Sequence, residues 1–244
     1  MPRSRPAGPR VMRAALPPEW PLERERPGLV SFVLAALREL YGVPEWQPRR
    51  PPTDELVLTI LSQHTSDLNA ERAFDSLAGR FPDWDAVVRA PVDEVASAIV
   101  SGGLAQQKAP RIQGVLRRIR EERGDYALDF LGTMEPRAAR DWLVRLDGVG
   151  PKTASVVLLF CFGLPLMPVD THVHRVISRI GLVPAGTPAD RAHDLALEVF
   201  PLDRMYEAHV NLITHGRRTC FARKPACARC PVAPRCRYVD PTAS

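Results

Sequence analysis

The sequence predicts an all-α protein. Apolar residues recur at helical spacing along nearly the whole chain beyond residue 28, and no segment alternates apolar and polar residues over the length of a strand. Prolines and glycines stand where those helical segments would begin and end.

Residues 1–28 hold seven prolines and many arginines with little periodicity, the pattern of a mobile basic arm. GLVSFVLAALREL then reads as an amphipathic helix, broken by QPRRPP. TDELVLTILSQ opens with a capping signal at Thr53 and is apolar around most of its circumference, which predicts a buried helix. In RIQGVLRRIREE, Ile112, Val115, Leu116 and Ile119 share one helical face. EPRAARDWLVRL starts with a proline in its first turn and stops at the glycines of DGVG. PKTASVVLLFCF follows at once, with Pro151 suited to a first helical position and Gly163 to the stop. DTHVHRVISRI puts Val173, Val176, Ile177 and Ile180 on one face. A cysteine-rich loop closes the chain.

With 244 residues, 45% hydrophobic and 25% charged, the chain can bury one large core or two small ones. A net charge of +5 is compatible with a polyanionic partner. The longest apolar run, VVLLFCFG, is too short for a membrane span, and MPRSRPAGPR lacks the apolar region of a signal peptide. The expected location is therefore cytoplasmic or on the nucleoid. Cys161 lies in that apolar run and reads as a core residue. Cys220, Cys227, Cys230 and Cys236 are spaced C-x6-C-x2-C-x5-C. Without a secretion signal this reads as a metal site before a pair of disulfides, and spacing alone leaves zinc and an iron–sulfur cluster both open.

LDGVGPKTA, residues 146–154, joins two helices through a short hairpin. Gly148 and Gly150 permit tight backbone turns and close approach to a ligand, and the positive end of the next helix faces the same space. The hairpin glycines with Val149 between them form a candidate phosphate site. Lys152 lies in the first turn of that helix. Lysine occurs only at Lys108, Lys152 and Lys224 among 33 basic residues, so an amine here is out of keeping with a chain that otherwise uses arginine. The helix dipole and an apolar setting both disfavour the ammonium form, and a neutral amine is a carbon nucleophile able to form a Schiff base; a guanidinium is not. Asp170, in PVDTHVHR, is placed as a helix N-cap, and such a carboxylate is also suited to stabilising a developing cation.

Four motifs in order, ILSQHTSD, LDGVGPKTA, VDTHVHR and HGRRTCFARKPACARCPVAPRC, resemble the endonuclease III family of DNA glycosylases from about Thr53 to Cys236. The resemblance implies two helical domains with double-stranded DNA bound in the cleft between them: residues 53–164 containing the helix–hairpin–helix, and residues 29–52 with 165–244 around a [4Fe–4S] cluster. It makes Lys152 the nucleophile and Asp170 its carboxylate partner, and it assigns Cys220, Cys227, Cys230 and Cys236 to the cluster. Residues from two loops fill the gap left by an extruded base; the counterparts are His64, next to Gln63, and Leu104. Arg223 and Lys224 match the basic loop that meets phosphates. A monomeric, bifunctional glycosylase/AP lyase acting on oxidised pyrimidines is the implied activity. The rivals are a monofunctional mismatch glycosylase, whose members lack a lysine at this position, and a non-enzymatic iron–sulfur sensor of DNA damage. The sequence departs from the family pattern at Asp147, where proline is usual, at Pro151, where a basic residue is usual, and at His64, where glutamine is usual. These changes bear on affinity and on the choice of lesion.

Overall fold

A computed structural model describes residues 22–243, which are helical with no strand among them. The helices are α1 (Leu22–Glu25), α2 (Leu29–Tyr41), α3 (Pro52–Leu61), α4 (Asp67–Arg80), α5 (Trp84–Arg89), α6 (Val92–Ala98), α7 (Ala105–Arg123), α8 (Pro136–Val144), α9 (Pro151–Phe162), α10 (Thr171–Ile180), α11 (Ala189–Val199) and α12 (Met205–Arg218). None is long and apolar enough to cross a membrane.

Two apolar cores organise the chain. The first joins α3 to α9 and includes Leu56, Ile60, Phe74, Ile99, Ile112, Leu116, Leu143 and Leu158. The second joins α2 to α9–α12 and the C-terminal loop, through Leu34, Leu37, Val173, Ile177, Ala196 and Leu212. Helix α9 belongs to both: Ala154, Val157, Leu158 and Cys161 face the first core, while Leu159 and Phe160 face the second. An all-round apolar helix is what such a shared position requires, since each buried Leu, Val or Phe contributes about 1.5–3 kcal/mol. Its first turn, with Lys152, therefore stands where the two cores meet.

Local chemistry sets the ends of the helices. Ser66, Asp83, Glu135 and Asp170 cap α4, α5, α8 and α10 through their side chains. Thr53 does not cap α3. The helix starts one residue earlier, after Pro51, and the Thr53 hydroxyl donates instead to the Tyr126 carbonyl at 2.5 Å. Helix α7 begins at Ala105, well before the RIQGV stretch that periodicity picks out, and runs through Pro110. Where α10 meets α12, Gly216 lies against His172 so closely that a Cβ would fall 2.8 Å from the His172 Cβ.

The expected mobile arm of residues 1–28 is too long at its C-terminal end. Leu22 is buried in the second core, and Arg26, 1% exposed, donates to the carbonyls of Ile180, at 2.7 Å, and Arg235. Buried carbonyls at the end of α10 and in the cysteine loop thereby gain a charged donor, which holds this stretch against the body. The rest of the expected arm, residues 1–21, lies outside the described residues.

Candidate active site

A cleft of about 610 Å³ opens between the two cores, and Lys152 and Asp170 both line it. Lys152 enters from the first turn of α9. Gly148 holds φ +81° in the hairpin before it, and Gly150 is the N-cap residue. Burial lowers the Lys152 pKa; Asp170, Asp67 and Glu55 oppose that shift and Arg217 adds to it. Asp170 enters from the N-cap of α10, where Oδ1 accepts the Val173 N–H at 2.7 Å. The cap uses one carboxylate oxygen and leaves Oδ2 for a charge in the cleft.

The other two lysines are placed elsewhere. Lys108 is 2% exposed, and its ammonium donates to the carbonyls of Leu61, at 2.6 Å, and Gly102, at 2.7 Å. Lys224 is exposed on the cysteine loop beside Arg223. Of the three lysines, only Lys152 lines the cleft.

The loops that carry His64 and Leu104 are tightly specified, and neither of those side chains lines the cleft itself. His64 and Leu104 are exposed and both hold positive φ, 57° and 50°, although neither is glycine. Each such conformation costs on the order of 1–3 kcal/mol and persists only where its surroundings impose it. The Lys108 ammonium supplies part of that constraint, because Leu61 and Gly102 immediately precede the two loops. Gln63 behaves differently from its neighbour. Its amide donates to Gly148 O and Thr153 Oγ1, each at 3.4 Å, and accepts from Arg111 Nη1 at 2.8 Å. Arg111 also packs across Gly148, where a Cβ would collide with it. Gln63 is thus tied to the hairpin, while His64 projects into solvent.

Within the hairpin the Val149 side chain is 3% exposed, in the first core, and its N–H bonds to the Leu146 carbonyl at 3.0 Å. Val149 therefore offers a ligand neither side chain nor amide, contrary to its place in the expected phosphate site. The donors that remain are the glycine amides and the first turn of α9, reduced by one because Pro151 has no N–H.

Sequence reasoning missed the inner wall of the cleft, formed by Arg49, Glu55, Phe160 and His209. The Arg49 guanidinium lies 3.6 Å from the Phe160 ring centroid and 4.0 Å from the Glu55 carboxylate. His209 meets Phe160 edge-on, with centroids 5.5 Å apart. Burial pushes the Glu55 carboxyl up, against Arg49, and pushes the His209 imidazole down to about 3. Glu55 Oε2 and His209 Nδ1 are both buried without a hydrogen-bond partner. Across the rim, Arg217 Nη2 reaches Asp67 Oδ2 at 3.1 Å.

Away from the cleft, Cys220, Cys227, Cys230 and Cys236 line one small space. Arg179 donates to Cys220 Sγ at 3.4 Å, and His215 Nε2 lies 3.5 Å from Cys230 Sγ. No three His, Cys, Asp or Glu side chains among the described residues converge on a single ion position as they stand.

Residues 57–201 match the model of the HhH-GPD superfamily of base excision DNA repair proteins. Endonuclease III of Synechocystis sp. is 36% identical over 206 residues, covering 84% of this chain and 90% of that one. Endonuclease III of Sulfolobus acidocaldarius is 34% identical over 185 residues, 75% of this chain and 80% of that one. A putative DNA glycosylase of Arabidopsis thaliana is 37% identical over 164 residues, but the chain spans only 56% of its length. A solved endonuclease III in non-covalent complex with DNA superposes with a TM-score of 0.72 at 27% identity, covering 86% of this chain and 94% of that one. The chain belongs to the HhH-GPD superfamily of base excision DNA repair proteins. Within it the chain stands with the endonuclease III relatives, as a DNA glycosylase/AP lyase.

Proposed function

We propose that the protein removes oxidised pyrimidines from double-stranded DNA and then cuts the strand, with Lys152 as nucleophile. The observation that carries this is the meeting of Lys152 and Asp170 in one cleft, the amine with a lowered pKa and the carboxylate with one oxygen uncommitted. A damaged base leaves the stack for the cleft at a cost of a few kcal/mol, least for weakly stacked lesions. The neutral Lys152 amine bonds to the sugar C1′ as the bond from C1′ to the base breaks, and Asp170 stabilises the positive charge that develops. One amine proton passes to the departing base and a second to the ring oxygen, so that the sugar ring opens and a Schiff base forms. This acidifies the 2′ hydrogen, whose removal expels the 3′ phosphate by β-elimination; water then frees Lys152. A structural neighbour described as a trapped endonuclease III–DNA covalent intermediate, with a TM-score of 0.72 at 27% identity, supports the covalent route.

His64 and Leu104 fill the space the base leaves, a role supported by their exposure and their imposed φ values. Gly148 and Gly150 with the start of α9 hold a backbone phosphate, Gln63 braces that hairpin, and Arg223 and Lys224 meet the duplex from the cysteine loop. Four cysteines lining one small space, in a fold shared with endonuclease III, support a [4Fe–4S] cluster held by Cys220, Cys227, Cys230 and Cys236. Its part is to clamp that loop. The protein acts as a monomer, in the cytoplasm on the nucleoid.

Borohydride trapping on an abasic duplex tests the mechanism. The wild type forms a covalent adduct. Lys152→Arg keeps the charge and still binds DNA with retained salt dependence, but forms no adduct and loses strand cleavage by orders of magnitude. An adduct from Lys152→Arg would move the nucleophile elsewhere. Metal analysis tests the cluster: about four irons and four sulfides per chain are expected, and stoichiometric zinc without sulfide would overturn it.

A further inference from the structure

Two polar atoms on the inner wall of the cleft are buried and unpaired, Glu55 Oε2 on α3 and His209 Nδ1 on α12. The residues are 2% and 4% exposed, and both line the cleft beside Lys152. Leaving such groups without partners costs on the order of 1–3 kcal/mol each, which makes them candidates for completion by a ligand. Neither sits in a disordered or solvated setting: Arg49, 4.0 Å from Glu55, and Phe160, edge-on to His209, hold the wall together.

The chemistry of the two atoms is alike. His209 has a backbone hydrogen-bond partner in Pro168, whose only backbone hydrogen-bonding group is its carbonyl, so His209 is the donor. With Nδ1 unpaired, that donor is Nε2, and in the neutral ring Nδ1 is then an acceptor. Glu55 keeps an acceptor oxygen in either protonation state, and rotation about its terminal torsion can present either oxygen to the cleft. These two atoms therefore ask for hydrogen-bond donors.

We propose that Glu55 and His209 form the base-reading wall of the cleft and select an extruded base that presents an exocyclic amino group, in preference to one with a carbonyl at the same position. An amino group supplies two N–H donors to two acceptors. A carbonyl there sets oxygen against the acceptors and leaves them unpaired, the arrangement by which polar sites reject an analogue most strongly. This inference rests on the reading of the protein as a DNA glycosylase and names which of its substrates the site prefers.

Single-turnover excision is measured on two duplexes that differ only in the lesion, 5-hydroxycytosine or 5-hydroxyuracil, each opposite guanine. The amino-bearing base is expected to leave at least about tenfold faster with the wild type. Glu55→Gln keeps the shape but offers an N–H of its own, so the ratio should fall to within about threefold. Equal rates with the wild type, a faster keto base, or an unchanged ratio in a folded Glu55→Gln would overturn the proposal. If Glu55→Gln fails to fold, the wild-type ratio decides alone. Borohydride trapping at an abasic site needs no base, so absence of an adduct there strikes the covalent reading, whereas an adduct without lesion preference strikes only this one.

Discussion

At the scale of single residues, the chain brings one amine and one carboxylate to the same cleft, and the proposed chemistry gives the carboxylate a task besides its cap. Asp170 caps α10 with Oδ1 and faces the cleft with the rest of its carboxyl group. Asp170→Asn retains a capping oxygen, so its thermal stability should stay within about 1 kcal/mol of wild type. Its single-turnover excision should nevertheless fall by about 10²–10³, the usual cost of losing one electrostatic contact to a transition state. Unchanged excision would confine Asp170 to the cap. The places of Lys152 and Asp170 at two helix starts were legible in the sequence because their signals are local: a lysine just after a glycine turn, and an aspartate just before an amphipathic helix. Glu55 was not. In TDELVL it reads as an ordinary first-turn acid, and its burial comes from residues far along the chain that no spacing rule connects to it.

At the scale of elements, α7 ties two loops and the hairpin together. Its first turns carry Lys108 and Arg111, which hold the loops before His64 and Leu104 and the hairpin at Gly148. Lys108→Met fills the same space but leaves two buried carbonyls unpaired. A loss of about 2–5 kcal/mol in urea unfolding is expected, with faster amide exchange at residues 62–65 and 102–104. Base excision from duplexes should fall more than cleavage at abasic sites, where less unstacking is needed. Equal losses on both substrates would detach these loops from base extrusion. Periodicity found the apolar face of α7 and lost its beginning. Pro110 reads as a breaker, and the ligands of Lys108 are backbone carbonyls, which leave no trace in a sequence. The α9 pattern was legible throughout, because burial on every side writes itself as an unbroken apolar run.

At the scale of the whole molecule, stability depends on acids and imidazoles that link helices within the second core. Glu207 on α12 accepts from Arg38 on α2, at 2.7 and 2.8 Å, and from Arg204, and these partners hold it down at about 2. Its contribution is whole above the unfolded value near 4.5 and is lost as pH falls toward 2. His209, held neutral down to about 3, refuses a proton that the unfolded chain accepts below 6.5, so it too favours the folded state at higher pH. The melting temperature should therefore decline in two stages, from pH 6.5 downward and again below 4.5. Glu207→Gln should flatten only the lower stage; an unaltered lower stage would place the acid sensitivity elsewhere. The shared helix α9 has a consequence for dissecting this protein. Since Leu159 and Phe160 serve one core and Val157 and Leu158 the other, no cut gives each part its own complete interior. Residues 53–164 in isolation would present the second face of α9 to water, and the remainder would lack the helix it closes upon. The two halves are separable as regions of space but not as autonomous fragments, and Lys152, the proposed nucleophile, stands at the tip of the helix that neither can give up.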